Sequence, residues 1–376
     1  MGVLRKNVTM FRPPIGREEM EAVMGVLRDK TLTDENGSGP YVKRFEEAFA
    51  KYVGVKYAVA LSSGTAALHA ALLAVDVGPG DEVIVPSFAP TPVAEAVVLA
   101  GAKPVFADIN PETYTLDVAS VEEKLTDKTR ALVPVHTYGL MADMEAFRSL
   151  AKERGLALVE AAFHAHGAEF KGQKAGTYGD LACFSFNAMQ PITTGEGGMV
   201  VASRRDLAET IQSIRVHGAG KYGSSERLGH NYKMTEIAAA LGYYQLQRLP
   251  KILESRRRNA QILTSLLEGI GRLQLPFEPP GYKHSWGIYT VRLKGGKVGE
   301  RNKLVFKLRA SGVQARVFYE TPIHMAPYYR RKYGIRPRSL PRTEAAARQV
   351  FSLPCHQDLS EEDLKYVAAK LKKLIR

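Results

Sequence analysis

Short apolar runs alternate with longer segments of helical spacing along the chain from residue 56 to residue 160. Each run is continuously apolar, which is typical of strands that are covered on both faces. The runs predict strands at 56–61, 82–86, 104–107, 131–135 and 157–160, with helices between them. Strands that alternate with helices indicate an α/β fold, in which a mostly parallel sheet lies between layers of helices.

Amphipathic segments flank this alternating unit on both sides. Residues 15–30 and 41–52 predict two helices before it. The first helix carries one apolar stripe: Met20, Val23, Met24 and Leu27. After residue 245 the pattern changes to a long helix, two strands and a closing helix, at 246–267, 288–293, 313–319 and 361–375. We therefore predict a large α/β domain at 1–245 and a small C-terminal α+β domain at 246–376.

Composition excludes several classes of protein. Of 376 residues, 45% are hydrophobic and 24% are charged, as in ordinary globular proteins. No apolar run is long enough to span a bilayer, and the first residues carry no secretory signal. Only Cys183 and Cys355 occur, so no disulfide framework is implied. A cytoplasmic protein without a membrane-embedded part is the expectation.

The positive net charge favours a negatively charged ligand or partner. Lys and Arg number 52 and Asp and Glu number 39, so the net charge is 52 − 39 = +13. Such a surplus suits a phosphorylated small molecule, an acidic surface or nucleic acid, or it is merely a solvated basic surface. The densest clusters lie at 256–258 and 330–338. No nucleic-acid-binding module accompanies them, so nucleic acid is the weaker expectation.

Two segments carry candidate chemistry. Ser62-Ser63-Gly64-Thr65 lies between a predicted strand and a predicted helix, where free backbone N–H groups can hold a phosphate. The same residues also suit an ordinary helix cap. Glu160, His164 and His166 follow a strand, at the sheet edge where ligands bind in open parallel sheets. Buried, satisfied histidines are the alternative, and no metal site is predicted.

Segments along nearly the whole chain match those of one family. They include Arg44-Phe45-Glu46, Ser62-Ser63-Gly64-Thr65, Gly78-Pro79-Gly80-Asp81-Glu82-Val83, Val135-His136-Thr137-Tyr138-Gly139, Phe184-Ser185-Phe186, Thr194-Gly195-Glu196-Gly197-Gly198, Asn231-Tyr232-Lys233-Met234 and Pro322-Ile323-His324. The chain thus resembles the DegT-type sugar aminotransferases, which are pyridoxal-phosphate enzymes of fold type I. The resemblance implies a seven-stranded sheet, a small second domain, and a dimer with its two sites at the interface.

The resemblance also implies which residues contact a phosphate. Gly64 and Thr65 match the cradle, Ser185 matches the phosphate-binding serine, and Asn231 matches an asparagine that the other subunit supplies. All four residue types are suited to that task. A phosphorylated ligand, such as a sugar nucleotide, is therefore expected in the inherited cleft.

The chemical positions of the family are replaced. The Schiff-base lysine falls on Gln190, and an amide cannot form a Schiff base. The aspartate that pairs with the pyridinium nitrogen falls on Ala161, so the electron sink is weakened. The glutamine beside the ring becomes His164, and the stacking aromatic residue becomes Pro90. Pyridoxal phosphate or pyridoxamine phosphate is therefore expected, if bound, to be held without a covalent bond.

Three functions remain open from the sequence. The first is an enzyme with replaced chemistry, in which His164, with His166 or Glu160, acts as acid or base on a sugar nucleotide or another phosphorylated metabolite. The second is a non-catalytic subunit or regulator that pairs with an active paralogue and lends it Asn231. The third is the family's pyridoxal-phosphate-dependent transamination, or a pyridoxamine-phosphate-dependent sugar dehydration. A homodimer is expected, and a heterodimer with a paralogue is the alternative.

Overall fold

The structure is a computed structural model that describes residues 6–220 and 224–375. The strands are β1 Tyr57–Leu61, β2 Glu82–Pro86, β3 Lys103–Ala107, β4 Thr129–Leu132, β5 Ala157–Ala161, β6 Glu169–Phe170, β7 Gln173–Lys174, β8 Leu181–Ser185, β9 Gly198–Ala202, β10 Leu273–Gln274, β11 Tyr282–Lys283, β12 Tyr289–Leu293 and β13 Val350–Leu353. The helices are α1 Arg17–Asp29, α2 Pro40–Val53, α3 Gly64–Ala74, α4 Pro92–Leu99, α5 Val118–Glu122, α6 Met144–Arg154, α7 Arg205–Arg215, α8 Glu236–Leu267, α9 Val298–Ala310, α10 Pro327–Tyr333, α11 Pro341–Gln349 and α12 Glu361–Ile375.

A seven-stranded sheet forms the centre of the molecule, in the order β1-β9-β8-β5-β4-β2-β3. The pairs from β8 to β3 are parallel, whereas β9 runs antiparallel to both β1 and β8. This confirms the predicted mostly parallel sheet. The register places Leu61 and Ser185 on either side of Gly198, and Ala161 beside Cys183. The carboxyl ends of β1, β8 and β5 therefore meet at one edge.

Helices bury both faces of this sheet, as continuously apolar strands require. On one face, Leu68 of α3 and Leu207 of α7 belong to one hydrophobic cluster. On the other face, Phe147 of α6 and Leu249 of α8 belong to a second cluster, with Phe49 of α2.

Helix α8 is longer than predicted and runs through residue 245. It begins after Thr235, whose hydroxyl accepts a hydrogen bond from the Ala238 N–H at 3.2 Å. Its second half packs into a separate small core, in which Leu263 lies with Tyr289 of β12 and Leu371 of α12. The predicted domain boundary thus falls inside a continuous helix, and the predicted strand at 313–319 is present only as isolated bridges at Val313 and Arg316.

The basic cluster at 256–258 was expected on the surface, and this expectation was wrong for its first residue. Arg256 is only 3% exposed, because α8 turns it toward the backbone carbonyls of Trp286 and Gly287. Arg257 pairs with the Glu278 carboxylate at 2.9 Å. In contrast, the basic residues at 330–338 are exposed, as predicted: Arg330, Arg331, Lys332, Arg336 and Arg338.

The apolar stripe of α1 does not face the core. Met20, Met24 and Leu27 are each about half exposed, whereas Ala22 and Val26 pack against Ala240 of α8. Small side chains on the inner face bring the two helices close together, which leaves the larger apolar residues outside. Within the described residues, no helix combines the length and the apolar character needed to cross a membrane.

Candidate functional site

The phosphate cradle lies where β1, β8 and β9 meet. Ser63 caps α3 by accepting a hydrogen bond from the Ala66 N–H at 3.0 Å, and among the described residues the N–H groups of Gly64 and Thr65 have no partner. A Cβ added at Gly64 would lie 2.7 Å from the Ser185 Cβ, which shows how closely the helix start approaches β8. A Cβ at Gly198 would collide with the Ser63 carbonyl oxygen. The predicted residues Gly64 and Ser185 are therefore brought together by close backbone contact.

Two further predicted contacts surround the cradle. Thr65 is half-buried in the first turn of α3. Asn231 is exposed, and the residue after it is fixed to the cradle because the Ser62 N–H donates to the Tyr232 carbonyl at 2.8 Å. The Tyr232 hydroxyl lies 2.9 Å from Nδ1 of His69, which is buried in α3. The segment that carries Asn231 is thus anchored from behind while its amide faces outward.

The replaced positions lie along the same edge of the sheet, at or just after the carboxyl ends of β5, β8 and β2. Ala161 is fully buried at the end of β5, and Gln190 is buried in the turn after β8, where its backbone N–H donates to the Asn187 carbonyl. Pro90 is half-buried in the loop between β2 and α4. Among the described residues, the Gln190 amide makes no side-chain hydrogen bond. No group at these three positions can carry a charge.

The structure gives Glu160 a structural position, contrary to its candidate role as acid or base. Its carboxylate accepts hydrogen bonds from the N–H groups of Gly176, Tyr178 and Gly179 at 2.8–2.9 Å. Its Oε2 also lies 2.9 Å from Nε2 of His136. These bonds outweigh the cost of burial and lower its pKa, so it stays ionised and holds the loop after β7. Its oxygens face the interior of the protein and not the cleft.

His164 and His166 are buried in the loop after β5. Burial lowers the pKa of His164 to about 4 and that of His166 to about 3, so both imidazoles are neutral near pH 7. Nδ1 of His164 and both ring nitrogens of His166 have no hydrogen-bond partner among the described residues. The two residues differ in surroundings, since the His166 ring packs 5.4–5.5 Å from the rings of Phe184 and Phe186.

The small-domain side clamps the backbone of His164. The Ser285 hydroxyl donates to the His164 carbonyl at 3.0 Å and lies 3.3 Å from the Gly139 carbonyl. A Cβ at Gly287 would lie 2.5 Å from the same His164 oxygen. The clamp was missed from the sequence because its partners are more than 120 residues apart. It fixes the backbone of His164 at this edge of the sheet, whereas the ring of His166 is packed between aromatic side chains.

Three aromatic side chains, Phe88, Tyr138 and Tyr319, pack against one another, and we call this cluster the aromatic wall. The sequence did not identify it. The rings of Tyr138 and Tyr319 stack 6.4 Å apart, and each makes an edge contact with Phe88, two residues before Pro90. The Tyr138 hydroxyl donates to the Phe318 carbonyl, and burial raises the pKa of Tyr138 well above its usual value. Tyr138 lies in a family-matching segment, which was the available signal. Tyr319 was read only as the end of a strand.

The residues fit one end of pyridoxal phosphate and not the other. Gly64, Ser185 and the free N–H groups at the start of α3 suit its phosphate. No lysine can reach its aldehyde from position 190, and no carboxylate faces its ring nitrogen from position 161. Within the described part of the chain, no three His, Cys, Asp or Glu side chains group closely enough to hold a metal ion. The start of α3 therefore has backbone groups of the kind that phosphate requires, whereas positions 161 and 190 carry an alanine and a glutamine.

The chain belongs to the DegT/DnrJ/EryC1/StrS aminotransferase family, which it matches over residues 13–372. It is 38% identical to GDP-perosamine synthase of Caulobacter vibrioides, with 93% of this chain and 94% of that protein covered. It is 37% identical to a pleiotropic regulatory protein of Geobacillus stearothermophilus, over 94% of each. DesV of S. venezuelae, solved in complex with a ketimine intermediate, has a TM-score of 0.90 and 35% identity, over 96% of this chain and 94% of that one. The predicted family and the predicted fold class are confirmed.

Proposed function

We propose that this chain binds a sugar nucleotide or a related phosphorylated metabolite in the inherited cleft and does not transaminate through a lysine Schiff base. One observation carries the proposal: the phosphate cradle at Gly64 and Ser185 is assembled, while the buried positions that support the chemistry are Gln190 and Ala161. A neutral amide and a methyl group can neither form a Schiff base nor stabilise a pyridinium ion. Pyridoxal phosphate or pyridoxamine phosphate, if it binds, is held by its phosphate alone.

The acid–base group of this function is His164. Burial lowers its pKa to about 4, so the imidazole is neutral near pH 7, which is the form that a general base needs. Its backbone is held by Ser285, and its Nδ1 is not used by the protein. We expect His164→Ala to lose turnover while the fold survives, and unchanged turnover would remove this role. His166 is the weaker candidate, because aromatic rings enclose it.

The spectrum of the protein with added pyridoxal phosphate, followed by borohydride treatment, tests the central claim. We expect reversible binding that dialysis removes, no cofactor fixed by borohydride, and weaker binding in Ser185→Ala. A cofactor that borohydride attaches to one lysine at the cradle edge, located by mass spectrometry after dialysis, would overturn the proposal. Binding that Ser185→Ala leaves unchanged would contradict the assignment of the cradle.

Transamination of a sugar is the second candidate, and the comparisons favour it. The relative from Caulobacter vibrioides is named for perosamine synthesis, and the DesV structure holds a ketimine intermediate. The residues at 161 and 190 oppose the same activity in this chain. Direct assay of amino transfer from glutamate to a keto sugar nucleotide decides between them, because the first candidate function excludes amino transfer. Analysis of the sugar product in an assay with added pyridoxamine phosphate tests the sugar dehydration, because a dehydrated sugar would support that activity and its absence would exclude it.

A non-catalytic subunit is the third candidate, and the exposed Asn231 supports it. Its side chain faces outward beside the cradle, as a residue supplied to a partner subunit would. A homodimer is proposed as the basic assembly, and a mixed dimer with an active paralogue is the alternative. Co-purification from the native source tests this, because a strictly homodimeric product argues against the mixed dimer. The division of the chain at residue 245 into a large and a small domain also stays a proposal.

A further inference from the structure

A second groove lies in the small domain, on the outer side of the aromatic wall. It encloses about 760 Å³ between one face of α9 and the segment Gln314–Phe318. Sites for small organic ligands generally enclose about 300–1,000 Å³. Asn302, Val305, Phe306 and Arg309 line the helix side, and their spacing puts them on one face of α9. None of the cradle residues lines this groove. The groove and the aromatic wall are linked by one hydrogen bond, which the Tyr138 hydroxyl donates to the Phe318 carbonyl.

An exposed aromatic ring stands in this groove. Phe306 is 71% exposed, although its neighbour Val305 is buried in the small core. It is one turn of helix from Arg309, whose Nε donates to the Ala315 carbonyl at 2.7 Å. A flat apolar ring left open to water beside a fixed guanidinium suits a flat ligand that carries negative charge.

The charge of the groove is positive. Arg309 and Arg316 line it, and among the described residues neither has a carboxylate oxygen within 4.0 Å. The Arg316 guanidinium lies 5.8 Å from the centre of the Phe11 ring. The carboxylate of Glu320, the groove's acidic residue, accepts a hydrogen bond from Asn302 at 3.3 Å and lies 3.9 Å from the buried Arg301. Two arginines are therefore free to bind an anion, since Glu320 is already engaged.

We propose that this groove binds a nucleotide, with the base stacked on Phe306 and the phosphate between Arg309 and Arg316. Arginine suits this task because its planar fork binds phosphate oxygens in pairs. The chemistry recognised is an aromatic base that carries phosphate, from a free mononucleotide or from the nucleotide half of a nucleotide sugar. The site does not depend on the function proposed for the cleft.

Calorimetric titration of the full chain with UMP, AMP, UDP-glucose and inorganic phosphate tests the proposal. We expect Phe306→Ala to weaken UMP and AMP binding by about tenfold or more, as the loss of one base stack predicts. We expect Arg316→Gln to weaken it similarly and to reduce its dependence on salt. Phe277→Ala is the matched control, because Phe277 is another exposed phenylalanine that does not line the groove. A stronger response to UDP-glucose than to UMP would identify the nucleotide sugar as the source.

Gly64→Ala separates the groove from the cleft. Nucleotide binding that persists in Gly64→Ala and weakens in Phe306→Ala supports the groove. Binding that is lost in Gly64→Ala and unchanged in Phe306→Ala places the nucleotide in the cleft and overturns the proposal. No binding at millimolar concentration, equal effects of Phe306→Ala and Phe277→Ala, or equal affinity for inorganic phosphate would each overturn it as well. Because Phe306 and Phe277 are both exposed, circular dichroism should show both variants folded.

Discussion

The two ends of the cleft differ in what they are made of. The phosphate end is built from backbone: the start of α3, the glycines at 64 and 198, and Ser185 on β8. The end that would face a cofactor ring is built from side chains, and those side chains are Gln190, Ala161 and Pro90. Both ends lie on the same sheet edge. In our proposal, the phosphate end has the groups that bind phosphate in this family, whereas the ring end lacks the lysine and the aspartate of the family.

This contrast shows why binding and chemistry can separate in one fold. A cradle made of close backbone contacts cannot lose one glycine without a collision, so it is tied to the packing of α3 on β8. The residues at the ring end carry their task in their side chains, which can be exchanged while the backbone keeps its path. Function has to be argued from such side chains, because the fold supports both outcomes.

The largest effect is expected from breaking the phosphate end. Gly64→Ala places a methyl group 2.7 Å from the Ser185 Cβ, so either α3 or β8 must move. We expect affinity for pyridoxal phosphate, measured by equilibrium dialysis, to fall by about a hundredfold, the value of two charge-assisted hydrogen bonds at the low end of their range. Gly78→Ala is the control, because a Cβ there meets nothing within 4 Å. Similar affinities in the two variants would show that the cradle does not hold the phosphate.

Restoring the ring end should produce the next largest effect. Gln190→Lys with Ala161→Asp supplies a Schiff-base lysine and a partner for the ring nitrogen at the two positions that the resemblance indicates. We expect borohydride to fix pyridoxal phosphate to the double variant about tenfold more than to Gln190→Lys alone, because a charge-assisted hydrogen bond from the ring nitrogen to the introduced carboxylate strengthens cofactor binding. Mass spectrometry of the reduced protein measures the adduct. An adduct at equal yield in the unmodified chain would remove the contrast between the two ends.

Acid should destabilise the protein through its buried histidines, two of which lie at the ring end. Burial lowers the pKa values of five histidines below the usual 6.5, to about 3 or 4: His69, His164, His166, His284 and His356. The unfolded chain therefore binds protons between about pH 6.5 and pH 4 that the folded chain does not. Stability is complete above that window and falls through it by about 1.4 kcal/mol per pH unit for each such histidine. Urea titrations at several pH values measure the slope, which His164→Gln with His166→Phe should reduce. A flat profile would contradict the lowered pKa values.

The smallest effect is expected at His166. Its ring packs against Phe184 and Phe186, and neither of its nitrogens has a partner among the described residues. His166→Phe should therefore change the free energy of unfolding at pH 7 by about 1 kcal/mol or less, because it exchanges one flat ring for another. Denaturant unfolding measures this, with His164→Phe as the comparison. A loss several times larger for His166→Phe would mean that its nitrogens bind ordered water or ligand.

The order of strands and helices in the large domain could be predicted from apolar periodicity, because that pattern reports burial on both faces of a sheet. Which side chains of a helix are buried depended on tertiary contacts that apolar periodicity does not report. Arg256 looked like surface charge among three arginines, yet the turn of α8 directs it at two carbonyl groups near residue 286. The stripe on α1 looked like a core face, yet the small residues Ala22 and Val26 make the contact with α8.

The position of the candidate site could also be predicted, because the ends of parallel strands meet at one edge. The roles of individual residues could not. Glu160 lies near the carboxyl end of β5, where a catalytic carboxylate could stand, but its oxygens accept hydrogen bonds from backbone N–H groups sixteen to nineteen residues later. The clamp of Ser285 on His164 joins parts of the chain that only the tertiary fold brings together.

The long helix α8 sets how the molecule can be divided. Its 32 residues make a rod of about 48 Å that belongs to the large core at one end and to the small core at the other. A split of the chain at residue 245 would cut this helix, so neither fragment would keep a complete core. We therefore expect that the two fragments, expressed separately, do not fold as independent domains. Pro250 is the point inside the rod where it lacks a backbone hydrogen bond, and bending between the two cores would concentrate there. The two parts of the chain are therefore joined by one continuous helix that belongs to both cores, and not by a flexible linker.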